Sequence, residues 1–270
     1  MTVTAGTSVT TFAATSGVKT ITTNGKLVDF PVTFNGVGGA WQLQDALTLG
    51  ANRAVTLTNG ALDQNGKTLT TGSFSSSNSN VRTLTMTGAS VVVLGSGWTI
   101  NPSTNATVNA SGSTISMNSA SNKTFGGGNL AYGTLVQGGA GILTVAGSNT
   151  FADISNTVQP ATVRLEAGAT QTVSAFSLSG TSGNLITLIT NVAGTRATLS
   201  DASGTVSVSF VSIKDINATG GATWDSLLTN GNVDAGNNLG WNFGAAPVIV
   251  KAIFRQVFRP VFSEIFRPIF

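Results

Sequence analysis

The sequence predicts an all-β protein. Most of it reads as a right-handed parallel β-solenoid of short strands, followed by a C-terminal segment of a different kind. Three observations carry that expectation. Apolar residues come in short pulses alternating with hydroxyl and amide side chains, the period-two signature of strands with one buried face. Gly, Asn, Asp and Ser fill the gaps, where the chain must turn. Nothing between the pulses reads as a crossover helix, so stacking short strands like on like is the way to bury them. The stretch Tyr132 to Phe151, YGTLVQGGAGILTVAGSNTF, shows this grammar: Leu143 and Val145 flank Thr144, and Gly147-Ser148-Asn149 marks a turn. The coil length read from the sequence varies, so a β-sandwich is the second reading, above all for the N-terminal half.

Taken in order, residues 1–25 alternate Thr and Ser with Val3, Val9, Phe12, Val18 and Ile21, as first strands or as an arm that orders in an assembly. Residues 26–124 form a β-rich part. Val28, Phe30, Val32 and Phe34 alternate with polar residues and with Pro31, which belongs at a strand start or edge because it donates no ladder hydrogen bond. Val55-Leu57, Leu69, Leu84-Met86 and Val91-Val93 follow, with centres about 8 to 12 residues apart. Between Asn101 and Asn122 only Val108, Ile115 and Met117 interrupt a polar run; their strand spacing favours thin coils over a linker. Residues 125–245 carry the densest pulses, among them Val163-Leu165, Phe176-Leu178, Ile186-Leu188 and Val206-Val208-Phe210.

Composition narrows the function classes. Charged residues are 9% of the chain, roughly a third of the usual share. Hydrophobic residues are 41%, which separates the chain from disordered proteins. With no Cys and no His, disulfides, thiolate nucleophiles and the commonest general base are excluded. The N-terminus lacks the basic and apolar regions of a secretory signal, and no run of 18 apolar residues spans a bilayer. The expected route is synthesis in a host cytoplasm and release by another means, such as the lysis that frees a virus.

GGAGILTVAGSNTFADI resembles a coil of bacterial and phage β-helix proteins, of the form Gly-x-Gly-x-Leu-x-Val-x-Gly-x-Asn-x-Phe. Val208 to Phe243 resembles the closing segment of a family of large phage and environmental β-proteins. That ending pairs an Asn-Ala-Thr-Gly-Gly-Ala-Thr-Trp box (217–224) with a Gly-Trp-x-Phe box (240–243). GKLVDFPVTFNGVGGAWQLQDALTLG and FSSSNSNVRTLTMTG look like upstream pieces of the same family. Over roughly residues 25 to 243 the resemblance implies a virion structural protein or a surface adhesin. In the closing segment Trp224, Trp241 and Phe243 are expected to cover the last coil, whose open edge would otherwise pair with another chain; sugar stacking by Trp224 and Trp241 is the lesser reading.

Residues 246–270 depart from this pattern. Phe254, Phe258, Phe262, Phe266 and Phe270 recur every fourth residue, each preceded by Ile253, Val257, Val261, Ile265 or Ile269. Residues 1–245 balance nine basic against nine acidic side chains, so the formal charge of +3 lies in the tail: Lys251, Arg255, Arg259 and Arg267 against Glu264. A helix would let the Phe stripe drift by roughly 40° per repeat, and Pro260 would cost about 3 kcal/mol in its interior. The tail therefore reads as short helical turns or extended pieces broken near Pro260. Burying five Phe side chains contributes on the order of 7–15 kcal/mol before ordering costs, so the segment reads as a docking device for a partner, with a membrane surface as the lesser alternative. Four cations among so many large apolar residues make a poor nucleic-acid surface.

No catalytic, cofactor or metal residues are expected. The body carboxylates Asp29, Asp45, Asp63, Asp153, Glu166, Asp201, Asp215, Asp225 and Asp234 offer material for a two-carboxylate glycosidase. Those beside turn formers, such as Asp63, Asp201 and Asp234, instead read as turn caps. Asp225 and Asp234 with Asn237 and Asn238 match no cation-loop spacing. The expected function is a phage virion component: a capsid decoration protein, head fibre or tail-associated protein, docked through its tail to other virion proteins. It is expected to be a homo-oligomer, a trimer by analogy with fibrous spikes, with a host surface glycan as a further partner. A cell-surface adhesin or extracellular fibre subunit is the alternative, and a glycan-degrading spike the third.

Overall fold

The computed structural model describes residues 6–244; residues 1–5 and 245–270, and with them the whole tail segment 246–270, lie outside the described residues. The described chain winds into a parallel β-solenoid of about ten turns. It contains no α-helix; its one helical element is the 3-10 turn Leu228–Asn230.

The register shows how the pulses are used. Thr10, Val32, Val55, Phe74, Trp98, Phe125, Val145, Leu165 and Thr190 pair in sequence down one side of nine successive coils. A second column runs Leu47, Leu69, Val91, Ile115, Leu135, Ile154 and Phe176. A third, Trp41, Leu62, Leu84 and Val108, closes the N-terminal coils. Alternate residues point inward, and each column stacks its apolar side chains at the spacing of neighbouring strands, about 4.8 Å. Aromatic rings follow the same columns: Phe74 stacks on Trp98 with centroids 4.2 Å apart, and Trp98 on Phe125 at 6.3 Å.

Every pairing between named strands is parallel, which rules out the antiparallel sandwich for the N-terminal half. Trp98↔Phe125 and Ile115↔Leu135 carry the ladder across residue 124, so the expected N-terminal part and the solenoid are one continuous stack. Residues 6–25 are first strands rather than an arm, with Thr10–Phe12 and Val18–Ile21 both pairing on Val32–Leu43. The polar run 101–122 forms coils, through strands Ala106–Asn109 and Thr114–Met117. Coil length does vary, from 17 residues (Trp224 to Trp241) to 30 (Ser179 to Ser209). Corners absorb the difference. Where neighbouring backbones come closest only glycine fits: a Cβ on Gly133 would collide with the Ser113 carbonyl oxygen of the coil before.

Buried polar residues interrupt the apolar columns, Arg82, Lys123 and Gln171 among them. Arg82 is 1% exposed and faces no acid; its guanidinium donates to the carbonyls of Ser76, Asn80, Pro102 and Thr104 and to Ser76 Oγ. It thereby organises two polar corners that have no core of their own. Lys123, 2% exposed, donates from Nζ to the carbonyls of Ser119, Gly139 and Gly141, and burial pushes its pKa down to about 8. Gln171 links coils by donating to Gly147 O and accepting from Asn149.

Candidate functional site

Two of the surfaces open to a partner are the ends of the stack. The expected docking residues, Ile253 through Phe270, lie outside the described residues. The three expected covering residues, Trp224, Trp241 and Phe243, all lie at the C-terminal end.

There, Val206, Trp224 and Trp241 are register neighbours in a small parallel sheet. Trp224 is 2% exposed, and its indole N–H donates to Thr219 O at 3.0 Å. Trp241 meets it edge-on, with centroids 5.1 Å apart, and Trp241 and Phe243 are half-buried against the core. The rest of the cover is amide. Asn232, 4% exposed, donates to Val208 O and Leu227 O and accepts from the Val211 N–H. Asn238 donates to Ile213 O and to Asp234 and accepts from the Ile216 N–H. Asn237 donates to Asp215 and to Gly194 O and receives Arg196 on its own oxygen. These side chains satisfy backbone groups of the preceding coil that a further apolar coil would leave unpaired. By sequence Asn237 and Asn238 enter only beside Asp225 and Asp234, at a spacing that matches no cation loop, and Asn232 is not singled out. Their spacing, three amides in the final turn just where apolar pulses stop, is the signal.

The N-terminal end is different. From Gly6 to Pro31 no residue is fully buried. Phe12, Ile21, Val28 and Phe30 are half-exposed, Leu27 is 58% exposed, and with Val32 they line a mouth of about 820 Å³. Strands Thr10–Phe12 and Val18–Ile21 each pair with Val32–Leu43 and have no other strand partner among the described residues. Asp45 clamps the first turn, accepting from the N–H groups of Thr23 and Gly25 and from Thr23 Oγ1.

The body carboxylates other than Asp153 are engaged in the fold; Asp153 has a buried oxygen without a hydrogen-bond partner among the described residues. Asp29 pairs with Arg53 at 2.8 Å. Asp63 accepts from Asn65 N and Gln42, Glu166 from Gly147 N, Asp225 from Asn242, and Asp234 from Gly236 N. Asp201 accepts a long bond from Ser203 N at 3.4 Å. Asp215 has its pKa lowered, first by the Asn237 amide and then by the Gly194 N–H. Asp234 accepts from Asn238, but Asp225 serves a separate turn through Asn242 and Asn237 bonds Asp215, so the four do not converge on one point. Among the described residues no three His, Cys, Asp or Glu side chains gather in a metal-holding group, and no helix is long and apolar enough to cross a membrane. Trp41 and Trp98, 1% and 0% exposed, are core. Comparison with known proteins finds no matching family model, curated protein or solved structure.

Proposed function

We propose that this chain is a structural component of a phage virion, a capsid decoration protein, head fibre or tail-associated protein, attached to its partner through residues 247–270. The observation that supports this most is the division of labour within the chain. Most of the solenoid's carboxylates and its buried cations bond groups of the solenoid itself, as in a stiff spacer. The segment outside it concentrates five Phe side chains and the whole net charge. The resemblance of the closing segment to phage β-proteins supports the virion setting.

The test is a chain ending at Gly244, expressed during infection in place of the full-length protein. The expected result is a folded solenoid absent from purified virions by mass spectrometry, while the full-length chain is present. Incorporation of the truncated chain at the full-length level would show that the docking role is wrong. Absence of both from virions would remove the virion reading altogether.

A further inference from the structure

We infer that the open N-terminal mouth is the receptor for the Phe-repeat tail of a second copy of this chain, so that solenoids join end to end. The inference shares with the proposed function only the tail's docking role and does not depend on the virion setting.

The mouth presents two complementary features. Its floor is apolar, formed by Phe12, Ile21, Leu27, Val28 and Phe30. Its rim is a strand edge: Thr10–Phe12 and Val18–Ile21 have one ladder neighbour each. An extended peptide laid on such an edge gains main-chain hydrogen bonds, while the pocket selects its alternate side chains.

The tail's repeat fits that mode. A four-residue period drifts on a helix, but it is a whole multiple of the two-residue strand period. In an extended chain Phe254, Phe258, Phe262, Phe266 and Phe270 therefore share one face, and Lys251, Arg255, Arg259 and Arg267 all share the other. The prolines obey the same rule. Pro260 and Pro268 have equal parity, so both missing N–H groups fall on one edge of the strand and the other edge keeps its full set of donors. The one charge on the Phe face is Glu264, and Lys26 lines the mouth.

Chain length favours a second copy: Phe262, Phe266 and Phe270, 18 or more residues past Gly244, are long enough to reach their own mouth, but the full set of five is not. About ten turns at the inter-strand spacing make a stack of roughly 48 Å. Gly244 sits in the last coil, its N–H bonded to Asn242. Phe254 is ten residues further on (254 − 244) and reaches at most about 36 Å fully extended. It cannot meet its own mouth, and Phe258, at 14 residues and about 50 Å, does so only when completely stretched. Against the mouth of a copy stacked on the C-terminal end, all five Phe side chains are within reach.

The chain has no Cys, so disulfide trapping reads single contacts cleanly. Full-length Leu27→Cys protein is mixed with full-length Gln256→Cys protein under mild oxidation. Residue 256 lies on the Phe face, 12 residues past Gly244, and at about 43 Å falls short of its own mouth. The control is Val192→Cys, a comparably exposed site on the flank, 51% against 58% exposed. The expected result is a cross-linked dimer forming at least tenfold faster with Leu27→Cys than with Val192→Cys. Adding Phe258→Ser and Phe262→Ser to the tail should reduce the rate to the control level, with circular dichroism confirming that each variant folds. Equal rates at the two sites overturn the inference, including the case in which residues 1–5 cover the mouth. So does a concentration-independent internal cross-link in a Leu27→Cys, Glu264→Cys chain, which would place the tail in its own mouth. A closed oligomer that persists unchanged when Leu27→Arg is introduced also overturns it. If these trapping tests fail while the Gly244 truncation is still lost from virions, the docking role stands and only the receptor is wrong.

Discussion

At the C-terminal end the last coil closes over Trp224, which is 2% exposed, and over Asn232, which is 4% exposed. At the N-terminal end the first coil leaves Phe12, Ile21, Val28 and Phe30 half in water. Both ends face the same difficulty: a solenoid coil buries its apolar residues on the next coil, and a terminal coil has only one neighbour. The C-terminal coil meets it by changing side-chain type. It swaps aliphatic residues for amides that bond backbone groups of the coil before, and it seats an aromatic pair over the remaining apolar area. The first coil keeps the chemistry of an interior coil, apolar floor and strand edge included, and so retains the surface that another chain can add to.

The widest gap between the ends should appear on aromatic truncation. Trp224→Ala is expected to destabilise the protein by about 3–5 kcal/mol, the range for a fully buried aromatic. Phe12→Ala, which loses a half-exposed ring stacked on Phe34 at 5.3 Å, should cost about 1 kcal/mol or less in dilute protein. Urea unfolding of both variants checks this. Equal losses would mean that the first coil is buried in solution and the contrast is false.

The amide cover should give the next largest effect. Asn232→Ala removes one acceptor and two donor bonds at a buried site and strands the Val211 N–H. An expected loss of about 2–3 kcal/mol follows from leaving buried backbone groups unpaired. Leu27→Ser at the mouth should stay within about 0.5 kcal/mol, as exposed substitutions do. An Asn232→Ala variant as stable as the parent would show that water replaces the amide and that packing alone makes the cover.

Much of this architecture was legible because a solenoid writes its core in period-two pulses: Leu143-Thr144-Val145 and Val163-Arg164-Leu165 show the inward parity directly, and both pairs stack. Pairing direction leaves no such mark, so the sandwich as second reading for the N-terminal half is excluded only by the parallel register Val32↔Val55↔Phe74. The buried cations were missed because a lone Arg or Lys in a polar stretch looks like surface. Parity held the clue, since Arg82 is in step with Leu84 and Met86, and Lys123 with Phe125. The open mouth was not legible, because Phe12, Ile21 and Phe30 have the pattern of core strands and only the missing neighbour exposes them.

The subtlest separation between the ends is expected in acid. A carboxylate with a lowered pKa helps tie down a turn at each end, Asp45 at the mouth and Asp215 under the last coil. The Thr23 N–H is the largest cause for Asp45, and the Asn237 amide for Asp215. A carboxylate depressed in the folded state contributes stability that is fully present above its unfolded value of 3.8 and is lost as pH falls through the lower folded value. Both ties therefore hold at neutral pH and fail only below 3.8. Their loss should not be equal in consequence. Protonating Asp215 leaves the last coil still covered by Trp224 and by the Asn232 and Asn238 amides. Protonating Asp45 releases Thr23 and Gly25 in a coil that has no buried residue to hold it. Pepsin digestion as pH is lowered progressively below 3.8 should cut first between Gly6 and Pro31 and only later near residues 232–244. Asp45→Asn should loosen the same turn at neutral pH, seen as faster amide exchange at Thr23 and Gly25 with residues 232–244 unchanged. First cleavage at the C-terminal coil would reverse the ranking of the two ends.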